Sequence, residues 1–244
     1  MSVLQQLIRP ARRRPEAERP FWISYADLMT AMMTLCLVAM AVTIIAMSQE
    51  LRRELSAEDT RAQEILGICN EIKQGIRDRP NVHVDCRDNR IDFGEAGQFG
   101  YEEYRLHPEV ESDLAALVPV ILRASNDRDG RKWFKQVVIE GFTDTRGPYL
   151  YNLYLSLKRS YWMMCMLVDP RRNASLGLSD EQVQQVRELF LAGGVSFNDA
   201  KPSDDASRRV ELRLQFFTRK EKEEPDQAAR PHFITTQQES CELN

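Results

Sequence analysis

The sequence predicts one N-terminal transmembrane helix followed by an α/β domain. Residues 21–47 form an apolar segment in which Asp27, Cys36 and Tyr25 are the ionisable side chains. At about 1.5 Å per residue, a helix over this segment is roughly 40 Å long, which is enough to cross a hydrocarbon core of ~30 Å. After residue 81, short segments with the pattern of β-strands alternate with amphipathic helical segments. The sequence therefore predicts a single-pass membrane protein with one folded domain outside the membrane.

The flanks of the apolar segment predict its orientation. The preceding residues, 1–20, contain five arginines and two glutamates, so the positive-inside rule places this tail in the cytoplasm. The C-terminal domain then lies in the periplasm, and the protein in the inner membrane of a bacterium. A cleaved signal peptide is the alternative, but its apolar region is usually only about 7–15 residues long. The sequence therefore favours an uncleaved anchor.

The chain is divided into segments by its composition and periodicity. The segments are a cytoplasmic basic tail (1–20), the transmembrane helix (21–47), a helical linker (48–80), an α/β domain (81–218) and a disordered charged tail (219–244). Within the domain, residues 107–125 and 150–168 are predicted helices. Residues 137–139 form a predicted buried strand, and the alternating pattern of residues 210–216 predicts another.

The linker carries a heptad pattern whose partner is left open by the sequence. The positions that repeat at spacings of four and three are Leu51, Leu55, Glu58, Ala62, Ile65, Cys69, Ile72 and Ile76. This apolar face suits either an amphipathic helix lying on its own domain or the seam of a parallel homodimer. In a dimer, Cys69 lies near the two-fold axis and could cross-link to its mate. Cys86 is the local alternative partner, so Cys69 and Cys86 form a candidate disulfide, while four periplasmic cysteines allow three connectivities within one chain.

Composition and motifs exclude several classes of function. A net charge of −4 and a pI near 5.6 argue against a nucleic-acid-binding protein. The three histidines are isolated and the cysteines lack zinc-ligand spacing, so neither a metal nor a cofactor is expected. The glycine-containing stretch 94–100 lacks phosphate-loop spacing and is interpreted as a mobile loop. No hydrolase motif is present, so no catalytic residue is predicted.

One stretch of the domain carries a spaced motif with the form T-D-x-x-G-x-x-x-x-N-x-x-L-S-x-x-R. Its members are Thr143, Asp144, Gly147, Asn152, Leu155, Ser156 and Arg159. With the closing sequence RRVEL (residues 208–212), the motif resembles the OmpA-like peptidoglycan-binding domain over about residues 82–217. The resemblance implies a mixed sheet of the βαβαβ type and a cell-wall partner.

The resemblance also implies the chemistry of binding. Diaminopimelate in the peptidoglycan stem peptide carries an ammonium and a carboxylate on one carbon. Asp144 would bind the ammonium, and Arg159 would hold the carboxylate with paired hydrogen bonds. Thr143 and Asn152 complete the implied peptidoglycan-binding set, with Asn152 shaping the loop. In the alternative interpretation, Asp144 caps the following helix and pairs with Arg159.

The carboxylate of Asp27 lies inside the apolar segment, without a basic residue nearby. A charged side chain near a helix centre costs about 2.5–3.5 kcal/mol on insertion scales, so it suggests a site for a proton or another cation. Thr30 and Thr34 extend the same helix face, and with Tyr25 they are candidates for facing a channel or packing on a partner helix. The alternative is that Asp27 only reaches towards the membrane surface.

The start of the span, W-x-x-x-A-D-L-M (residues 22–29), resembles MotB-type stator subunits when it precedes an OmpA-like domain. That resemblance implies that Asp27 carries the motive ion between a homodimer of this subunit and a ring of a MotA-like membrane partner. The compact length, the sequence FWISYADLMTAMMT and the cysteines are most similar to the ZorB family of Zorya anti-phage systems, whose partner would be ZorA-like. A flagellar stator subunit, an ExbD/TolR-like transducer and a non-conducting tether between membrane and wall are the alternatives.

Overall fold

The computed structural model describes residues 21–224 and 240–243, with side chains from Tyr25 onwards. The predicted cytoplasmic tail, 1–20, and residues 225–239 and 244 of the predicted charged tail lie outside the described residues. Two compact units are present, one up to Ser56 and one from Ala57 to the C-terminus.

The first unit consists of the N-terminal part of helix α1, which runs from Phe21 to Gly75. The side chains from Tyr25 to Ser56 are all exposed, including the apolar ones. Among the described residues, α1 is the one helix that is long and apolar enough to cross a membrane. The predicted single N-terminal helix is therefore confirmed.

The second unit is built on a mixed five-stranded sheet with the order β1-β2-β5-β3-β4. The strands are β1 (His83–Asp85), β2 (Arg90–Asp92), β3 (Phe134–Phe142), β4 (Phe190–Ser196) and β5 (Val210–Phe216). The β3–β4 pair is parallel, and the other neighbours are antiparallel. A parallel pair needs a crossover connection, which here is helical.

Six further α-helices lie in the described part of the chain, and two of them match the helices predicted over residues 107–125 and 150–168. They are α2 (Pro108–Asn126), α3 (Arg128–Trp133), α4 (Tyr149–Val168), α5 (Asp180–Leu189), α6 (Asp204–Ser207) and α7 (Arg219–Glu223). Helices α4 and α5 make the crossover from β3 to β4. A capping box between Ser179 and Gln182 begins α5, because each residue satisfies the other's backbone N–H. The predicted fold class, an N-terminal apolar helix plus an α/β domain with a mixed sheet, is confirmed.

One face of the sheet forms the core and the other is polar. Val210, Leu212 and Leu214 of β5 are buried at alternate positions, as their spacing predicts. On the opposite face, Arg213 donates to Glu140 at 3.1 Å between neighbouring strands. The helices therefore pack on the apolar face, and polar side chains cover the other.

The predicted boundary between linker and domain, at residue 80, lies too late in the chain, because the last turns of α1 already belong to the domain. Ile68, Cys69, Ile72 and Ile76 are each no more than 3 % exposed and belong to the same core as the sheet and α2. The C-terminal half of the heptad face is thus covered by the chain's own domain and is unavailable as a dimer seam. Burial of these apolar side chains against neighbours already present in the chain is the physical reason.

The predicted disordered tail also needs correction at both of its ends. Residues 219–223 form helix α7, which begins with a capping box. Near the C-terminus, Cys241 forms a disulfide with Cys165, and its backbone N–H donates to the Asp169 carboxylate at 2.8 Å. A covalent bond and a buried acceptor therefore fix residues that composition alone classes as disordered.

Candidate functional site

The spaced motif surrounds the turn that joins β3 to α4. Gly147 has a φ of +91°, a conformation that glycine adopts without strain, so the chain can turn after Asp144. At Gly141, a Cβ atom would lie 2.0 Å from the carbonyl oxygen of Ser156. Helix α4 therefore packs directly on the end of β3, and this close approach brings the start of the turn near Arg159.

The carboxylate of Asp144 is buried, and two arginines donate to it. Arg208 Nη1 lies 2.9 Å and Arg146 Nη2 lies 3.0 Å from the same oxygen, Oδ2, while the backbone N–H of Arg146 donates to Oδ1. Burial raises the pKa of Asp144, but the hydrogen bonds from Arg208 and Arg146 outweigh it, so the pKa lies below its usual value. Asp144 is therefore held in its ionised form.

The guanidinium of Arg159 is fully buried and holds a neighbouring loop. Its Nε donates to the carbonyl of Glu103 at 2.8 Å, Nη1 to that of Phe142 at 2.6 Å and Nη2 to that of Gly100 at 3.3 Å. Burial lowers the pKa of Arg159 to about 10, so the group stays charged at neutral pH. The alternative in which Arg159 pairs with Asp144 is not observed, because the hydrogen bonds of Arg159 go to backbone carbonyls and Asp144 pairs with Arg146 and Arg208.

Thr143 and Asn152 have different roles in the turn. The Asn152 side-chain amide donates to the carbonyl of Arg146 at 2.7 Å and so fixes the backbone of the turn. The backbone N–H of Thr143 donates to Ser196 on β4 at 3.0 Å. The Thr143 hydroxyl is buried and has no hydrogen-bond partner among the described residues. A buried polar group of this kind favours a nearby ligand or water molecule.

The structure brings all four predicted wall-binding residues to one cleft. Its volume is about 10 Å³, roughly the room for one water molecule. The lining residues are Tyr101, Glu102, Thr143, Asp144, Arg146, Tyr151, Asn152, Leu155, Arg159 and Arg208. The stretch 94–100, which was interpreted as a mobile loop, is packed against the domain, because Phe99 is buried with the Arg159 Cζ 4.6 Å from its ring centroid.

Sequence reasoning missed Arg208 and Arg146 as members of the site. Arg208 is buried, donates to Phe99 O at 2.9 Å and pairs with Asp205 as well as Asp144. The RRVEL sequence was a signal for Arg208, although it did not show which of the two arginines turns towards the cleft. The next residue, Arg209, points elsewhere and pairs with Glu211 and Asp199.

The residues predicted for ion transfer lie in the first unit. Asp27 and Tyr25 are exposed on α1. The hydroxyl of Thr30 donates to the carbonyl of Asp27, and that of Thr34 to the carbonyl of Ala31, each at 2.9 Å. The hydroxyl donors of both threonines are therefore satisfied within the helix.

The predicted cysteine pair is joined in the structure. Cys69 and Cys86 form a disulfide with a Cα–Cα distance of 5.7 Å. This leaves no thiol at Cys69 for a bond between two chains. Within the described part of the chain, no group of three or more His, Cys, Asp or Glu side chains could hold a metal ion.

The fold and the site together define a class of protein with one N-terminal helix long and apolar enough to cross a membrane, followed by an α/β domain of the OmpA-like type. No family model matches the sequence. The chain is 52 % identical over 234 residues to Zorya protein ZorB from Escherichia coli O139:H28 (strain E24377A / ETEC). The matched region covers 95 % of this chain and 94 % of that protein. The chain therefore belongs to the ZorB family.

Two solved structures are similar to the second unit. The MotB-like protein from Desulfovibrio vulgaris is 19 % identical with a TM-score of 0.42, over 64 % of this chain and 95 % of that one. The OmpA-like domain of FopA1 from Francisella tularensis subsp. tularensis SCHU S4 is 19 % identical with a TM-score of 0.34, over 56 % of this chain and 82 % of that one.

Proposed function

We propose that this chain is the ion-carrying, wall-anchored stator subunit of a Zorya-type anti-phage complex. Its α1 helix spans the inner membrane with the N-terminus in the cytoplasm, and two copies assemble with a ring of a ZorA-like, MotA-like membrane partner. The observation that carries the proposal is the 52 % identity to ZorB in a chain whose apolar helix contains a carboxylate, Asp27.

The proposed role of Asp27 follows from the cost of charge in a membrane. Protonation makes the carboxyl neutral and tolerable in hydrocarbon, while ionisation requires water or a partner. Asp27 would therefore bind and release a proton as it faces alternate sides of the partner ring. Each charge that crosses the membrane releases about 2.3 kcal/mol per 100 mV, so several transfers could drive a mechanical step. Thr30 and Thr34 are small, exposed and satisfied within the helix, which suits close packing on a partner helix.

The proposed wall anchor is the cleft around Asp144. An ionised, buried carboxylate suits a ligand ammonium, and Arg159 and Arg208 supply positive charge for a neighbouring carboxylate. The two disulfides, Cys69–Cys86 and Cys165–Cys241, are stable in an oxidising compartment, which supports a periplasmic location for the domain. Diaminopimelate of the peptidoglycan stem peptide is the ligand that we infer.

The test is phage protection by cells that express the full chain together with its membrane partner. Asp27→Asn preserves the size of the side chain but cannot release a proton, so we expect full assembly and complete loss of protection. Asp27→Glu retains an acid with a longer arm and should keep a small fraction of the activity. Thr43→Val is the matched control, because Thr43 lies on the same helix and its hydroxyl donates only to its own backbone.

Immunoblots and copurification of the membrane partner must show equal protein levels and equal assembly for all variants. Full protection by Asp27→Asn would eliminate the ion-carrier role and leave a non-conducting tether. Loss of protection by Thr43→Val to the same extent would show that the assay reports helix packing rather than the carboxyl group.

A further inference from the structure

We propose that Arg146 is a latch on the wall-binding cleft, which opens only for a ligand that brings its own free ammonium group. This inference rests on the proposed binding of peptidoglycan at Asp144. In the closed form that the structure shows, the Arg146 guanidinium occupies the position at Asp144 where the ammonium would bind. The latch would make the subunit selective for stem peptides whose diaminopimelate amine is not cross-linked.

The two arginines at Asp144 differ in how firmly they are held. The Arg208 side chain is only 9 % exposed and is also fixed by Phe99 O and Asp205, so it is a permanent part of the site. The Arg146 side chain is 51 % exposed, with Nε and Nη2 at 3.3 Å and 3.0 Å from Asp144 Oδ2. A ligand that arrives from solvent can therefore displace Arg146 but not Arg208.

The surroundings of Arg146 provide a place for the displaced guanidinium. Its Nε lies 3.4 Å from the half-exposed carboxylate of Asp204, and its Cζ lies 4.8 Å from the ring centroid of Tyr101. Tyr101 lines the outer part of the cleft and Asp204 is exposed next to it, so both can hold the guanidinium once it leaves Asp144. The carbonyl of Arg146 is held by Asn152, so the opening movement is a rotation of the side chain and leaves the turn in place.

The chemistry of the exchange determines which ligand opens the latch. With Arg146 in place, the cleft has room for about one water molecule and cannot admit an amino-acid end. A ligand ammonium has three N–H donors and a positive charge, so it can replace the hydrogen bonds that Asp144 loses. An amide formed by cross-linking has no charge and only one N–H donor, so it replaces the charged hydrogen bonds of Arg146 poorly and leaves the buried Asp144 carboxylate less well compensated.

The experiment measures binding of the purified full-length protein, in detergent, to peptidoglycan sacculi before and after acetylation of their free amines. The variants are Arg146→Gln and Arg146→Ala, with melting temperatures measured for each. Arg171→Gln is the matched control: Arg171 makes the same backbone and side-chain hydrogen bonds to Asp169 two residues earlier and is 68 % exposed. We expect the Arg146 variants to bind untreated sacculi about two- to fivefold more tightly, the range of an exposed ion pair.

On acetylated sacculi, this gain should vanish, and wild type and variants should bind equally weakly. If the Arg146 variants bind untreated sacculi no more tightly than wild type does, the latch is overturned while wall binding stands. A gain that persists on acetylated sacculi would overturn competition by the ammonium. Absence of binding by wild type and by folded variants alike would overturn both the latch and the proposed wall-binding function.

Discussion

The indole Nε1 of Trp133 donates a hydrogen bond to the carboxylate of Glu64 at 2.5 Å. Lys132 donates to the same oxygen at 2.6 Å. These two contacts tie the C-terminal part of α1 to α3. A third contact ties it to the residue after β5, because Arg61 Nε donates to Phe217 O at 3.0 Å. The last turns of α1 are therefore an integral part of the α/β domain.

Glu64→Ala should destabilise the domain. The substitution removes the acceptor of Trp133 and Lys132, which we expect to cost about 1–3 kcal/mol of unfolding free energy. Urea unfolding followed by tryptophan fluorescence at neutral pH measures the loss. Glu71→Ala is the control, because Glu71 is an exposed residue of the same helix and should change stability little. Equal stability of wild type and Glu64→Ala would show that the hydrogen bonds to Glu64 are energetically neutral.

Glu221 should titrate at unusually low pH. A hydrogen bond from Lys135, followed by those from Thr218, lowers the pKa of Glu221 to about 2. Because the folded-state pKa is depressed, the stabilisation is present above the unfolded pKa of about 4.3 and is lost as pH falls towards 2. An NMR titration of the Glu221 carboxyl measures the value. In Lys135→Gln the pKa should move up, while Lys158→Gln should leave it unchanged; an unmoved pKa in Lys135→Gln would contradict the assignment.

Four of the five cysteines should be paired within each chain, and Cys36 should be a free thiol. Peptide mapping without reduction should yield Cys69 linked to Cys86, and Cys165 linked to Cys241, and a non-reducing gel should show no dimer that depends on Cys69. A disulfide that closes a short loop of this size stabilises by about 3 kcal/mol, so Cys69→Ser should lower the melting temperature. A peptide pair in which Cys69 is linked to Cys69 of a second chain would restore the dimer-seam interpretation.

Arg159→Ala should unfold or strongly destabilise the domain, whatever its role in binding. The carbonyls of Glu103, Phe142 and Gly100 would lose a charged donor in a buried place, at a cost on the order of 3 kcal/mol. Chemical unfolding of Arg159→Ala and wild type provides the comparison. A variant of unchanged stability would show that water satisfies these carbonyls, and that Arg159 is available to the ligand.

Asp144→Asn is therefore the better test of wall binding. It keeps the shape of the side chain but removes the charge that would attract an ammonium, so sedimentation with sacculi should fall at least about tenfold, the effect of losing a charge-assisted hydrogen bond. Asp199→Asn is the control, because Asp199 also pairs with an arginine, Arg209, but lies outside the cleft. Unchanged sedimentation of Asp144→Asn would remove Asp144 from the binding site.

Periodicity predicted the secondary structure well but not what covers it. The alternation in β5 showed which face is buried, because a strand with one apolar and one polar face turns its apolar face to the core. The heptad face of α1 has the same pattern whether it meets a second chain or its own domain. Only the three-dimensional position of neighbours such as Val120, whose methyl groups lie against Gly75, decides between them.

Four residues of the candidate site were predictable from the motif, but its two further arginines and its hydrogen-bond connectivity were not. Motif spacing placed Asp144 and Arg159 at one end of the sheet. The acceptors of Arg159 at Gly100 and Glu103 are 59 and 56 residues away along the chain, and no local pattern indicates them. Arg146 was invisible to the motif for a different reason: its position is one of the variable ones, and its role depends on where its flexible side chain rests.

The Cys69–Cys86 disulfide has a mechanical consequence. Cys86 directly follows β1, so the bond links the last turns of α1 to the edge of the sheet. When a domain held at one end is pulled through a helix, hydrogen bonds and apolar contacts can be peeled apart one after another. Here such peeling stops at Cys69, since further separation would require a covalent bond to break. A tensile load on α1 is therefore transferred to the sheet as a whole, and reduction of this one bond would lower the rupture force.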